Sequence, residues 1–143
     1  MNNVVLLPTR KLISHEQTDV NKVRALMGML CKELVLKQPI VVDKKTLVIL
    51  DGHHRREAFK RLGITMIPCL PLDYEDAKIK VVFRRPGIKE VLIKRIILNF
   101  ALQGKVFPAK TTKHLIKERP RIRYRIRINK LGDTGIQARV NKT

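Results

Sequence analysis

An apolar run, a glycine turn and a basic helix start follow one another in the middle of the chain. Residues 47–50, Leu-Val-Ile-Leu, have the length of a buried strand, and Asp-Gly at positions 51–52 separates them from a helical pattern that ends at Gly63. The helix begins with His-His-Arg at positions 53–55. Free backbone N–H groups at a helix N-terminus, together with the positive end of the helix dipole, bind phosphate. The segment therefore predicts a site for a nucleotide or another phosphorylated molecule.

Length and composition indicate a folded protein. The chain has 143 residues, 44% of them apolar, so residues 1–143 are expected to form one domain. No apolar run reaches the roughly 20 residues that a membrane-spanning helix needs, and no signal peptide is expected because the N-terminus lacks a charged start. Cys31 and Cys69 have no spacing suited to a metal site. A reduced, cytoplasmic protein is the simplest interpretation.

The net charge of +19 is extreme for a chain of this size. It favours attraction to nucleotides, nucleic acid or acidic surfaces, but it does not choose among them. A high content of charged and β-branched residues also fits a protein adapted to heat, although that explanation does not account for the single sign of the charge.

The first helix is predicted near the N-terminus. Residues 14–17 have the spacing of a capping box, with Ser14 as N-cap and Gln17 at the third helical position. Pro39 is expected to end the segment. Apolar side chains that recur at helical spacing should face the core, namely Val20, Val23, Met27, Leu30 and Leu34.

The remaining elements alternate between short strands and helices. Two strands at 39–42 and 47–50 are predicted to flank a polar turn at 43–46, and the helix after the glycine turn should bury Ala58, Phe59 and Leu62. Pro68 and Pro71 predict that any strand within residues 64–72 is an edge strand or is interrupted. Further predictions are a strand at 79–83, a turn at 84–87, and a helix at 88–103 closed by Gly104.

A polar segment in the last third of the chain has the composition of a phosphate-binding loop. Two lysines, two threonines and a histidine lie within five residues: Lys110, Thr111, Thr112, Lys113 and His114. Ammonium, hydroxyl and imidazole groups can surround a phosphate with charge-assisted hydrogen bonds. A solvated polar turn is the alternative interpretation.

A strictly alternating segment follows this loop. On a strand, one face of residues 121–128 would present only arginines, Arg121, Arg123, Arg125 and Arg127, and the other face would be apolar. The arginine face is either a strip that binds nucleic acid or the wet side of an amphipathic strand. The scarcity of aromatic residues for base stacking favours the wet face.

Three segments resemble, in the same order, the free L-serine kinases of the ParB/sulfiredoxin superfamily. Residues 48–55, Val-Ile-Leu-Asp-Gly-His-His-Arg, are similar to the superfamily signature in the form that these kinases have. Residues 14–17 resemble their His-Glu-Gln segment, which contains the catalytic glutamate. Residues 104–114 resemble their Pro-Lys-Thr-Thr-Arg-His loop. The resemblance implies an α+β, ParB/sulfiredoxin-like fold in which a small mixed sheet packs with two or three helices.

The resemblance has two departures. Larger kinases of this type have an extra segment before the Lys-Thr-Thr loop, whereas here Tyr74 is followed by the next helix after a few residues. Lys113 stands where the family has an arginine, and lysine keeps the charge but lacks the bidentate fork.

The residues of the chain disfavour the functions of other members of the superfamily and of common nucleotide-binding folds. Sulfiredoxins have a cysteine where His53 stands, and chromosome-partitioning proteins have Gly-Glu-Arg-Arg at the turn and then a helix-turn-helix. Neither a P-loop pattern nor a GxGxxG pattern occurs in the chain.

The resemblance implies phosphoryl transfer from ADP or ATP to the hydroxyl of L-serine, with Mg²⁺ as the metal and O-phospho-L-serine as product. Glu16 would accept the serine proton, and Asp51 would hold the metal. The phosphate groups would be bound by the turn and the loop, that is, by Gly52, His53, His54, Arg55, Lys110, Thr111, Thr112, Lys113 and His114.

Each assignment has a structural alternative. Glu16 at the second position of a helix would be favourable for the helix dipole alone. His53 and His54 would cap the second helix, or Asp51 would be its N-cap. The basic side chains further along that helix, Arg56, Lys60 and Arg61, are expected to form a solvated face.

Two hypotheses therefore follow: a free serine kinase in serine or cysteine metabolism, and a non-catalytic ParB-like regulator that binds nucleotide or nucleic acid. The three ordered motifs favour the kinase, because positive charge is less specific than they are. The sequence does not indicate the oligomeric state or the choice between ADP and ATP.

Overall fold

The computed structural model describes residues 4–83, 90–108, 111–116, 122–128 and 134–137. Three α-helices, nine strands and a short 3-10 helix (Thr9–Lys11) lie within those residues. In chain order the strands and α-helices are β1 (Val5–Pro8), α1 (Val20–Glu33), β2 (Val35–Leu36), β3 (Ile40–Asp43), β4 (Ile49–Asp51), α2 (His53–Arg61), β5 (Met66–Leu72), β6 (Ile79–Phe83), α3 (Glu90–Leu102), β7 (Thr112–Ile116), β8 (Tyr124–Ile128) and β9 (Thr134–Gln137).

A four-stranded mixed sheet is the centre of the fold. Its strand order is β1-β5-β3-β4, with β3 and β5 parallel and the other pairs antiparallel. Alternate residues of β3 face opposite sides of the sheet: Ile40 and Val42 pack with α1 and α2, while Val41 packs with α3. The sheet is thus covered by helices on both faces, which confirms an α+β fold with a small mixed sheet.

The prediction that β5 is an edge strand is wrong, because β5 lies between β1 and β3. Each proline occupies a position where only one neighbour pairs with the strand. Pro68 pairs with β1 but precedes the first pair with β3, and Pro71 pairs with β3 but follows the last pair with β1. Proline has no N–H to donate to a neighbouring strand. It can therefore occur inside a sheet at a position that pairs with a neighbouring strand on one side only.

The predicted start of α1 is also wrong. The N-cap is Asp19, whose carboxylate accepts hydrogen bonds from the backbone N–H groups of Asn21 and Lys22. Val20, expected in the core, is 49% exposed at the first helical position. Ser14 lies instead in an extended segment, because tertiary pairing there outweighs the local capping pattern.

The end of α1 also differs from the prediction. Leu34 adopts a left-handed conformation with φ 56°, and its N–H donates to the carbonyl of Leu30. Residues 35–36 then form β2, so the helix ends several residues before Pro39. Of the predicted core positions on α1, Val23 and Leu30 are buried.

The other predicted elements are largely confirmed. The strands β3, β4 and β6 and the helix α2 lie at the expected positions, and Gly63 has φ 73° just beyond α2. The helix α3 ends before Gly104, as predicted. The predicted turn at 84–87 and residues 88–89 lie outside the described residues. No helix within the described ranges has the length and apolar character that crossing a bilayer demands.

The described part of the alternating arginine segment has one solvent-exposed face and one buried face. Ile122 and Tyr124 are buried, and Arg123 and Arg125 are exposed. β8 pairs with β2 and β9 in a second small sheet. Arg121 and the side chain of Arg127 lie outside the described part of the chain.

Candidate active site

A cavity of about 270 Å³ lies where β4 meets the N-terminus of α2. Four segments contribute to its walls: the strand-turn-helix segment, the extended segment that contains Glu16, the start of β7, and α1 through one residue. The lining residues are Glu16, Leu26, Leu50, Asp51, Gly52, His53, His54, Arg55, Thr112, Lys113 and His114. The fold thus brings together the three motifs that the sequence singled out.

Gly52 shapes the turn that precedes α2. Its φ is 109°, a left-handed conformation that L-residues with side chains rarely adopt. A Cβ atom at this position would lie 2.5 Å from Cδ1 of Ile40. No side chain caps α2, and its first described intrahelical bond runs from the N–H of Arg56 to the carbonyl of Gly52. The positive end of the α2 dipole therefore lies at the cavity, where it would stabilise an anion.

Asp51 and Arg55 form an ion pair across the first turn of α2. Nη2 of Arg55 lies 2.9 Å from Oδ2 of Asp51. Nη1 of the same guanidinium donates to the backbone carbonyls of Gln38 and Pro39, at 2.9 and 3.2 Å. The guanidinium therefore joins β4, α2 and the segment before β3, and it stands at the rim of the cavity.

Glu16 lies in an extended segment and not at a helix start, so the interpretation of Glu16 as a helix-dipole residue is wrong. The segment is tied to Phe107 by two backbone hydrogen bonds of 2.7 Å, from Gln17 N–H to Phe107 and from Phe107 N–H to His15. Oε1 of Glu16 accepts hydrogen bonds from the N–H groups of Thr111 (2.8 Å) and Thr112 (2.9 Å). The carboxylate is held by backbone donors from the loop that leads into β7.

His53 and His54 each accept a backbone hydrogen bond at Nε2. The donors are His15 N–H for His53 (3.3 Å) and Asp19 N–H for His54 (3.0 Å). Burial lowers the pKa of His53 well below its ordinary value, and repulsion from nearby cationic groups lowers it further. Because an accepting nitrogen has no proton, the neutral ring of His53 has its N–H at Nδ1. Neutral His53 can offer a hydrogen bond to a ligand from that nitrogen, but not a charge.

Three buried imidazoles pack together beside the cavity, and two of them, His53 and His114, line it. His15 contacts His53 and His114 edge-on, with ring centroids 4.5 and 5.6 Å apart. Burial lowers the pKa of His15 to about 4 and that of His114 to about 3. Tyr74 fixes one side of the group, since its hydroxyl lies 2.7 Å from Nε2 of His114. All three rings are neutral near pH 7.

Two residues near the site were missed or misread from the sequence. His15 is fully buried, and its two ring nitrogens have no hydrogen-bond partner among the described residues. Arg56, predicted on a solvated helix face, is half-buried and donates to Thr9, Leu12 and Ser14. Arg56 thereby holds the segment that leads to Glu16. Only the position of His15 beside Glu16 in the His-Glu-Gln motif pointed to a role for it.

The polar loop of the last third contributes mainly through its second half. Thr112, Lys113 and His114 belong to β7 and line the cavity, with the Lys113 side chain exposed. Thr111 is outside the lining and donates its hydroxyl to the carbonyl of Pro108. Lys110 lies outside the described residues.

The cavity contains two carboxylates, Glu16 and Asp51. Within the described ranges, no group of three acidic, histidine or cysteine side chains is placed to hold a metal ion. Magnesium is commonly held by one or two carboxylates, water and the phosphate oxygens of a substrate, and not by an all-protein cage. The donor set fits a metal that arrives with a nucleotide.

Comparison with curated proteins gives matches at moderate identity. The chain is 39% identical over 90 residues to an ATP-dependent L-serine kinase from Desulfurococcus mucosus, covering 59% of this chain and 34% of that protein. It is 34% identical over 90 residues to an ATP-dependent L-serine kinase from Staphylothermus marinus, covering 59% of this chain and 35% of the relative. The chain therefore spans about a third of the length of these relatives. No family model matches the chain.

Solved structures share the fold over most of the chain. A free serine kinase in complex with AMP superposes with a TM-score of 0.70 at 15% identity, covering 82% of this chain and 89% of that one. A conserved hypothetical protein from Pyrococcus furiosus gives the same TM-score at 16% identity, covering 83% and 94%. The resemblance drawn from the three motifs is confirmed: the chain is similar in sequence to ATP-dependent L-serine kinases and to a ParB-like protein from Sulfolobus acidocaldarius, and it has the fold of a free serine kinase.

Proposed function

We propose that this protein transfers a phosphoryl group from an adenine nucleotide to the hydroxyl of L-serine. The observation that supports this most is that Glu16 and the N-terminus of α2, which no side chain caps, line one cavity. A carboxylate can act as general base there, and the helix start can bind phosphate. The names of the sequence relatives support serine as acceptor and adenine nucleotide as donor.

In the proposed reaction, the serine hydroxyl oxygen forms a bond to the terminal phosphorus of the nucleotide. The bond from that phosphorus to the bridging oxygen breaks, and the shortened nucleotide leaves with the bond electrons. Glu16 accepts the hydroxyl proton. Because the Thr111 and Thr112 amides occupy Oε1, we assign the incoming proton to Oε2. Formation of the new bond thus coincides with neutralisation of the carboxylate.

Electrostatic stabilisation comes from the turn and from β7. The positive N-terminus of α2 and the positive charge of Lys113 on β7 would stabilise the transferred phosphate, where negative charge is concentrated in the transition state. The buried, neutral rings of His53 and His114 line the site and would limit the space open to water there. A site with less water strengthens each of these charge interactions.

Magnesium would be held by Asp51 together with phosphate oxygens. Glu16 is the second carboxylate that lines the cavity. When bound, it would neutralise phosphate charge. Because Asp51 is paired with Arg55, we propose that the ion pair keeps the carboxylate in position until the nucleotide arrives.

The direct test is incubation of the full chain with L-serine and Mg²⁺, adding ATP or ADP in turn, and detection of O-phospho-L-serine by mass spectrometry. The proposal expects product with at least one of the two donors. ATP is expected to be the better donor, since both kinase relatives are named ATP-dependent. No phosphoserine with either nucleotide would rule out the proposed activity. We also propose a cytoplasmic location, where the free thiols of Cys31 and Cys69 stay reduced.

A second candidate function rests on the exposed arginines of the second sheet. Arg123 and Arg125 project from a chain with a net charge of +19, and a ParB-like protein from Sulfolobus acidocaldarius is 38% identical over 72 residues. A nucleic-acid-binding regulator would lose affinity steeply with salt, and the double variant Arg123→Gln with Arg125→Gln would bind more weakly at every salt concentration. Salt-insensitive binding would exclude this candidate.

A further inference from the structure

Tyr74 is a buried side chain beside the active site that none of the three motifs contains. It lies in the loop between β5 and β6 and is 2% exposed. Its hydroxyl oxygen lies 2.7 Å from Nε2 of His114, which lines the cavity, whereas Tyr74 itself is outside the lining. The hydroxyl of a buried tyrosine usually has a hydrogen-bond partner, and here that partner belongs to the active site. The mechanism proposed above leaves this contact unused.

We propose that Tyr74 is a positioning residue that donates its hydroxyl proton to Nε2 of His114. The ring then has its single N–H at Nδ1, from which it donates to the backbone carbonyl of Leu50. This chain of two hydrogen bonds holds β7 beside the end of β4, where Asp51 follows Leu50. The inference rests on the proposed function only where it concerns the rate of phosphoryl transfer.

The backbone of Leu50 is the second partner of the His114 ring. Burial has the largest effect on the pKa of His114 and lowers it; the charge of Asp51 and a hydrogen bond with the Leu50 backbone oppose this shift. A backbone group that raises the pKa of a histidine is a carbonyl, because a carbonyl accepts from the ring. The neutral ring has one N–H to donate, and Leu50 receives it. The nitrogen beside Tyr74 is therefore the acceptor.

Two further contacts hold Tyr74 in place and favour its hydroxyl as a donor. The backbone N–H of Tyr74 donates to Oδ1 of the buried Asp43, at 3.3 Å. Nζ of Lys94 lies 5.4 Å from the centroid of the Tyr74 ring, and the same ammonium donates to the carbonyl of Asp76 at 3.1 Å. A cation beside an aromatic ring attracts the electrons of the ring. The hydroxyl of that phenol is then a stronger donor and a weaker acceptor.

The consequence for the site is that His114 positions the walls of the cavity and does not itself bind phosphate, in contrast to the role that the resemblance implies. Nε2 accepts and Nδ1 donates, so the neutral ring has no further N–H for an anion. The strand β7 also contains Thr112, whose N–H donates to Glu16, and β4 ends at Asp51. The His114 ring thus fixes the two carboxylates of the cavity relative to each other.

Long-range proton–nitrogen NMR correlation spectra of the isotope-labelled full chain test the inference, because they show which ring nitrogen of His114 has the proton. We expect the N–H at Nδ1 in the unaltered protein and a shift towards Nε2 in Tyr74→Phe, which lacks only the hydroxyl. In that variant kcat for phosphoserine formation should fall about fivefold, the rate equivalent of one hydrogen bond, while KM for the nucleotide changes less than about twofold. The matched control is Tyr124→Phe. Tyr124 is equally buried but packs in the other core cluster, and its replacement should change none of these quantities.

An N–H at Nε2 of His114 in the unaltered protein, or an unchanged tautomer in Tyr74→Phe, would each overturn the assignment. In a His114→Ala background, Tyr74→Phe should cause no further fall in kcat; a further fall would show that Tyr74 does not act through His114. The outcome is separable from that of the proposed function. The expected tautomers without phosphoserine formation would refute the kinase activity alone. Phosphoserine formation with a tautomer that does not depend on Tyr74 would refute the positioning role alone.

Discussion

The carboxylate of Glu16 accepts a 2.9 Å hydrogen bond from the backbone of Thr112, a residue 96 positions further along the chain. The same oxygen accepts from the N–H of Thr111. A carboxylate bound by backbone donors is fixed in direction, because backbone amides do not change rotamer. The general base proposed above is thus placed by the loop before β7 and by the pairing of residues 15–17 with Phe107.

Replacement of Glu16 by glutamine should separate catalysis from assembly of the site. The amide oxygen of glutamine can still accept from Thr111 and Thr112, so the loop should keep its position. Loss of the proton acceptor should lower kcat for phosphoserine formation by about 10²–10⁴-fold, with nucleotide affinity within threefold of the unaltered protein. Steady-state kinetics and calorimetry measure the two quantities. A kcat within tenfold of the original would show that Glu16 is not the base.

Gly52→Ala should destabilise the fold. The substitution places a methyl group against Ile40 and forces alanine into a left-handed conformation, at a cost of about 1–3 kcal/mol. Gly28→Ala is the matched control, because nothing lies within 4 Å of its added Cβ in α1, and alanine should stabilise a helix interior by about 0.5–1 kcal/mol. Urea unfolding should therefore shift in opposite directions for the two variants; equal shifts would contradict the geometry of the turn.

Arg56→Ala should weaken both the fold and the site. The guanidinium donates to two backbone carbonyls and to the Ser14 hydroxyl, and its removal leaves these acceptors without that partner. We expect a loss of about 1–3 kcal/mol in unfolding free energy and a lower kcat, since the segment before Glu16 is released. Lys60→Ala, on the exposed side of the same helix, is the control and should change unfolding by less than about 0.5 kcal/mol. Equal effects of the two variants would contradict the anchoring role of Arg56.

The buried histidines should make stability depend on pH on the acid side of neutrality. Burial lowers the pKa of His15 to about 4 and that of His114 to about 3, against 6.5 in the unfolded chain. Below pH 6.5 the unfolded state therefore binds more protons than the folded state. The free energy of unfolding should be at its full value above pH 6.5 and should decline as the pH falls towards 4. Thermal unfolding between pH 7.5 and 4.5 measures the decline.

His15→Leu provides the control for this pH dependence. Leucine removes one titrating group, so the decline below pH 6.5 should be shallower. At pH 7.5 the variant should be no less stable, because the ring nitrogens of His15 have no described partner to lose. A pH dependence identical to that of the unaltered protein would show that His15 does not contribute.

Local patterns predicted the elements in which neighbouring residues decide the conformation. The strands β3 and β4, the helix α2 and the left-handed Gly63 were identified correctly, because apolar periodicity and glycine placement are short-range signals. The wrong predictions concern residues whose conformation depends on tertiary contacts. Ser14 does not cap α1, because its segment pairs with Val48 and Phe107. The side chain of Arg56 points inward and donates to backbone carbonyls that are distant in sequence.

The candidate site could be predicted as a set of residues but not as a geometry. The three motifs do line one cavity, yet no sequence pattern showed that Glu16 is held by backbone amides or that Arg55 is paired with Asp51. The edge-on packing of His15 against His53 and His114 could not be predicted either, because it depends on contacts between residues that are almost 40 and 100 positions apart.

The pairing of Glu16 with Phe107 has a consequence for when activity can first appear. In a chain emerging from the ribosome, the glycine turn and α2 are synthesised well before residue 107. The proton acceptor becomes oriented only after the segment beyond α3 has returned to the N-terminal part of the protein. Catalytic turnover would therefore appear late in folding. A folding intermediate that has formed the central sheet, but in which residue 107 is not yet paired, would have no activity.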